Sequence, residues 1–271
     1  FALRQWGFDT SGVDLPQGTS ATRNWRVTES RLHLLEVPAG QLPRESKDGA
    51  RVDVAAFLIC SQEVSRQIYE QYLTEEGIEG RHESDTRVSP TIRHPANSVS
   101  WMGAIRFLNW LSRKESLQPY YELSGGMWHI ADRNGTGYRL PTEVDWEYAS
   151  RAGSQTVYAF GEDVRYLDDY ATYGLSLHCT PCASKLPNAW GLFDTAGNVW
   201  EWCQGTEHAY EAIRTDETGS ESFVAAIRGG AYDNPAQILR SDNRVELGIG
   251  ERFNGIGFRI ARSIGEPPSK K

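Results

Sequence analysis

From Gly153 to its C-terminus the chain shows no run of apolar residues at helical spacing. Short apolar stretches alternate there with Gly, Asn, Asp and Pro. This irregular half constrains the fold more than any other feature. It needs something besides regular secondary structure to hold it, and buried aromatics, arginine–carboxylate networks and bound calcium are the usual candidates. Nine tryptophans and twelve tyrosines supply the aromatics, enough for a sizeable core.

The first half carries local signals. A helix is expected after Ser65, with Ile68, Tyr69, Tyr72 and Leu73 on one side and a stop at Gly77. A second begins near Ser98 or Ser100 and spaces Trp101, Ile105, Leu108 and Leu111 helically. A third begins at Thr142, has acids in its first turn and ends at Gly153. LHLLEVPAGQLPR (Leu32 to Arg44) reads as a strand ending in a Pro/Gly turn, and VDVAAFLICSQEVS as a second strand region. Residues 1–31 read as a helical fragment, FALRQWGF, plus a linker from a preceding element. Residues 32–264 read as one α+β domain, and 265–271 as a frayed tail. The opening Phe1 marks the chain as an excised or processed piece of a longer protein.

The net charge of −8 argues against nucleic acid or an anionic membrane as partner, since both require a basic face. No apolar run is long enough for a transmembrane helix. Four cysteines (Cys60, Cys179, Cys182, Cys203) are too few for a disulfide scaffold at this length, which points to the cytoplasm.

Four segments stand in order: PANSVSWMGAIRFLNWLS, YRLPTEVDWEYASRAG, PNAWGLFDTAGNVWEWC and RGGAYDN…RSDNR…GFRIAR. Together with EVS at residues 63–65 they resemble the formylglycine-generating enzyme (sulfatase-modifying factor) family over roughly residues 40–263. The resemblance implies a domain with little regular structure, related to C-type-lectin-like folds. Family oxidases turn a substrate cysteine into formylglycine with two copper(I)-binding cysteines after RGG. Thiolates suit copper(I). Counted from RGG, those positions fall on Asn234 and Leu239, and no cysteine follows Cys203. No copper is therefore expected. The family's iron-dependent sulfoxide synthases bind iron through histidines, whereas His33, His82, His94, His129, His178 and His208 are scattered with no pair three or four apart.

In AGNVWEW the resemblance implies a structural calcium site, with side-chain oxygens from Asn198 and Glu201 and carbonyls near Ala196 and Val199. The alternative is a turn in which Asn198 caps backbone groups and Glu201 pairs with a buried arginine. A second family calcium site would fall at Asp169 to Thr172, where a threonine replaces the expected asparagine. HCTPC (His178 to Cys182) holds a CxxC pair. A structural zinc needs four ligands, so reduced loop thiols are the preferred reading. Trp101, Trp110, Trp146, Trp190, Trp200 and Trp202 read as core, and Arg228, Arg240, Arg244 and Arg259 as scaffold.

Between those arginines lie Tyr232, Asp233, Asn234, Gln237, Leu239, Asp242, Asn243, Glu246, Arg252 and Asn254, with neither strand nor helix period. Such a set on an irregular frame suits a surface binding a protein or a small ligand. The same region is the variable ligand-binding surface of retroelement-diversified relatives with this fold. The expected function is a non-catalytic binding module linked to an upstream domain of a bacterial signalling or effector protein. The alternatives are a metal-dependent oxidase acting on a cysteine peptide or other small substrate, and a purely structural domain positioning a fusion partner.

Overall fold

Capping chemistry starts two of the three helices where the sequence places them. The Thr142 hydroxyl accepts from the Asp145 amide, and the Asp145 carboxylate accepts in return from the Thr142 amide. Ser100 accepts from the Gly103 amide. Ser65 sits at the start of the first helix but makes no side-chain cap, and an isolated bridge to Pro95 anchors it instead.

The computed structural model describes residues 25–43, 51–80, 84–174, 176–205, 212–215 and 221–264. In chain order come β1 (Trp25–Val27), β2 (His33–Val37), β3 (Gly40–Pro43), β4 (Arg51–Val54), β5 (Phe57–Cys60) and α1 (Arg66–Glu75). Then follow α2 (Trp101–Lys114), β6 (Tyr121–Ser124), β7 (Met127–Ile130), β8 (Tyr138–Arg139) and α3 (Glu143–Arg151). The irregular half holds a 3-10 turn, Val164–Tyr166, leading into the single turn α4 (Leu167–Tyr170). After it come β9 (Trp200–Trp202), β10 (Ala212–Thr215), β11 (Glu221–Arg228) and a second 3-10 turn, Ala236–Leu239. β12 (Arg244–Gly248), β13 (Ile256–Gly257) and β14 (Ala261–Ser263) end the described residues.

One sheet runs β1-β2-β5-β14-β8, so a strand near the C-terminus is inserted between two from the first half. A second runs β10-β11-β9-β13, with β12 also on β11. β1 pairs antiparallel with β2, so the domain's first strand lies ahead of the boundary expected at residue 32. The expected fragment FALRQWGF and the tail 265–271 lie outside the described residues.

The main core joins Tyr69 and Tyr72 of α1 and Trp101, Phe107 and Trp110 of α2 to Phe258. Phe107 meets Phe258 edge-on at a centroid distance of 5.3 Å, within the range favoured by aromatic quadrupoles. Trp101, Trp146 and Trp202 are fully buried, as the core reading expects, while Trp190 and Trp200 are partly so. The fold is α+β, and the second sheet is built wholly from the irregular half, around the eight-residue strand β11.

Candidate functional site

The turn after RGG hangs from the AGNVWEW turn. Gly197 donates its amide to the Gly229 carbonyl at 2.9 Å, and Tyr232 donates to the Asn198 carbonyl at 2.9 Å. Gly197 has φ +78°, and a Cβ there would lie 2.1 Å from the Thr172 carbonyl oxygen, so only glycine permits this approach.

Beneath this turn lies a buried charge cluster. Arg259 donates through Nε and Nη2 to the two oxygens of Glu201, each at 2.5 Å, and both residues are 0 % exposed. Trp146 Nε1 adds a bond to Glu201 Oε2 at 2.7 Å. Arg259 also reaches the carbonyls of Phe193 and Cys60. Such a fork is the pairing expected for a guanidinium that cannot shed its charge. Next to it, Glu63 accepts from Asn198 Nδ2 at 2.7 Å and from the Val199 amide at 3.1 Å. Burial pushes the Glu63 carboxyl well above the usual carboxylate range, and the neighbouring Asp194 and Glu201 push the same way. Burial likewise raises Asp194 to about 6.

These bonds bear on the expected calcium site. Asn198 has its Oδ1 on the Thr180 amide and its Nδ2 on Glu63, while Glu201 is gripped by Arg259 and Trp146. Glu201 therefore faces a guanidinium, and Asn198 Oδ1 faces an N–H donor. The side chains of Asn198 and Glu201 as they stand do not fit an oxygen shell, while for Ala196 and Val199 the expected ligands were backbone carbonyls. At the second position, Thr172 Oγ1 contacts Thr180 Oγ1 at 2.7 Å.

Of the ten residues expected to form a binding surface, two are corrected. Leu239 is 1 % exposed and packs with Tyr158, Leu167 and Ala171, because the 3-10 turn Ala236–Leu239 rolls its last side chain inward. The space beside it is about 10 Å³, room for one water molecule. Tyr232 is 5 % exposed and packs with Val88, Cys179, Val199 and Ala231. Asp233, Gln237 and Asn254 are exposed, while Asn234, Asp242, Asn243, Glu246 and Arg252 are half-buried.

Several of these side chains serve the frame. Asn234 Oδ1 accepts from the Ala231 amide. Asp242 takes a bidentate bond from Arg240, and Asn243 donates to the Ile238 carbonyl. Glu246 pairs with Arg244, which also reaches Glu143 on α3. Arg228 is buried, donates to the carbonyls of Asp242 and Asn243 and to Glu147, and lies over the Trp146 ring. The scaffold reading of Arg228 and Arg259 thus holds.

Sequence reasoning missed the aromatic partners of this turn. Phe160 stacks between Tyr158 and Tyr170, at 5.2 Å with planes 2° apart and at 4.5 Å with planes 15° apart. The signal was present as VYAF and DDYATY, but nothing local ties those segments to residues 234–241. Their link is tertiary: Ser241 donates to the Val157 carbonyl, Gly174 to the Asn234 carbonyl and Tyr158 Oη to the Ala236 carbonyl.

No thiolate pair suited to copper(I) stands at the RGG turn. Cys60, Cys179, Cys182 and Cys203 are all free and buried. Burial raises the thiol of each, which favours the protonated, inert form. Among the described residues no three His, Cys, Asp or Glu side chains converge as a metal site.

Comparison with known proteins adds a family to this geometry. The model of the sulfatase-modifying factor enzyme 1-like domain matches residues 21–264. A serine/threonine-protein kinase, Pkn1, of Chlamydia caviae is 28% identical over 179 residues, 64% of this chain and 24% of the kinase. A formylglycine-generating enzyme of Streptomyces coelicolor is 29% identical over 189 residues, 62% of this chain and 52% of that enzyme. The chain thus matches about a quarter of the first and half of the second. Among solved structures, Treponema denticola variable protein 1 superposes with a TM-score of 0.72 at 25% identity, covering 89% of this chain and 99% of that one.

Proposed function

This chain belongs to the sulfatase-modifying factor family, and we propose that within it the chain is a non-catalytic recognition module. One observation carries the reading: the two positions that would bear copper-binding thiolates are filled by groups serving the frame. Leu239 is a core side chain beside a cavity of water size, and Asn234 ties its own turn to Ala231. A copper(I) centre needs soft ligands that can converge. Neither residue is one, and the four cysteines are free and buried, Cys179 among them packed behind the turn against Ala231 and Tyr232.

Recognition takes place on the exposed side of the same turn, around Asp233, Gln237 and the half-buried Asn234. Kinship with a domain of a protein kinase supports a role as the ligand-reading part of a longer bacterial signalling protein. Membership in the family does not by itself assign an activity, since function resides in the site and not in the fold.

A copper(I) titration against a chromogenic chelator tests the reading. The chain leaves the chelator's copper(I) untouched, whereas stoichiometric removal of copper(I) from it contradicts a non-catalytic assignment.

A further inference from the structure

The recognition face extends beyond the RGG turn. Phe160 and Tyr173 from one segment and Ala236 and Ile238 of the 3-10 turn pack against the same buried cluster of Tyr158, Leu167, Ala171 and Leu239, and Tyr170 stacks on Phe160. Phe160, Tyr170, Tyr173 and Ile238 are each half-exposed, so one apolar strip, partly aromatic, reaches the surface from both segments. Three hydrogen bonds fix the segments together: Ser241 to Val157, Gly174 to Asn234 and Tyr158 to Ala236. The strip is therefore pre-organised and loses little side-chain freedom on binding.

Its rim is acidic. Glu162, Asp168, Asp169 and Asp233 are exposed and Asp163 is half-exposed, against the guanidinium of Arg165, the ammonium of Lys185 and the guanidinium of Arg240, which Asp242 takes in a bidentate pair. Arg165 is consumed by Asp163 in a bidentate pair, and Lys185 is held by the Asp168 carbonyl at 2.6 Å. The space lined by Phe160 and Tyr170 is about 10 Å³, room for one water molecule, so the strip meets solvent as a surface. An open, tyrosine-bearing strip with carboxylates at its edge fits an extended ligand that brings cations and aliphatic side chains together. Guanidinium groups lie well on tyrosine faces and pair with exposed carboxylates.

We infer that residues 160–173 and 233–238 form one docking face for a polypeptide segment carrying arginine or lysine beside apolar side chains. This rests on the recognition reading above and names its partner class. The test uses the full chain and two synthetic peptides. One contains glycine, arginine and leucine in equal parts, and its twin has glutamate for arginine. Backbone-amide NMR shifts map where each binds, and fluorescence anisotropy gives the affinity. The arginine peptide is expected to bind and to shift Phe160, Tyr170, Tyr173 and Gln237. The double variant Asp169→Asn/Asp233→Asn changes only exposed carboxylates, so it keeps the fold. It should weaken binding about tenfold at low salt and flatten the salt dependence. Tyr170→Ala should weaken binding by a similar factor.

Failure of the arginine peptide to bind, or an affinity untouched by both variants, overturns the inference. Binding of the glutamate twin at Asp242 to Asn254, with Phe160 and Tyr170 unmoved, overturns it while leaving the recognition reading intact. Binding of neither peptide anywhere counts against both.

Discussion

The Glu201–Arg259 pair is the sharpest place to test the physical account. Replacing Glu201 by Gln keeps the shape but removes the charge and one of two acceptors for the Arg259 fork. Arg259 is 0 % exposed and its pKa is raised, chiefly by the Glu201 carboxylate against the opposing effect of burial, so it stays charged. Its remaining partners are the carbonyls of Phe193, Asp194 and Cys60. Breaking one side of a buried pair costs about 3–5 kcal/mol. For a domain of this size that is a fall in Tm of roughly 6–20 °C. Replacing both members by apolar residues, Glu201→Leu with Arg259→Met, removes the stranded charge and should recover about half of the loss or more. Urea denaturation of Glu201→Leu, Arg259→Met, their double variant and the wild type closes the double-mutant cycle, with Glu201→Gln measured beside them. Single-variant losses below about 1 kcal/mol, or a double variant worse than the sum of the singles, would refute the reasoning. A Tm that drops on chelation of calcium in the wild type would instead mean that Glu201 serves a cation.

Other expectations follow from packing and backbone geometry. Leu239→Ala should cost about 2–5 kcal/mol in urea melts, because its neighbours Tyr158, Leu167 and Ala171 cannot collapse into the gap. A cost under about 1 kcal/mol would return Leu239 to the surface. Gly197→Ala should cost roughly 2–4 kcal/mol, combining a positive φ with a contact of 2.1 Å to the Thr172 carbonyl. It should also broaden the amide resonance of Tyr232, whose N–H hangs from the same turn. An unchanged melting curve would show that the turn yields without cost.

The three helices were legible because their signals are local. Ser100 and Thr142 cap the turns that follow them, and Ile68, Tyr69, Tyr72 and Leu73 share one buried face. The two strand regions of the first half were legible as well and hold β2 to β5, but the sheet order was not, since strands as short as Tyr138–Arg139 and Ile256–Gly257 acquire their partners only by tertiary placement. β14 finds β5 across most of the chain and β8 from more than a hundred residues away, which no local pattern announces. The same limit governs the site. Arg228 and Arg259 were readable as scaffold from their type and setting. That Glu201 faces Arg259, 58 positions away, depends on the fold. Leu239 looked like a surface residue among polar neighbours, and only the segment 157–171 arriving beside it makes it core.

The most direct test of the non-catalytic reading is a product measurement. The purified chain is charged with copper(I), given oxygen and a cysteine peptide of the sulfatase type, and the peptide is weighed by mass spectrometry. The account predicts a peptide of unchanged mass even at stoichiometric protein. Conversion of its cysteine to the aldehyde would contradict the account and place a working metal site away from Asn234 and Leu239.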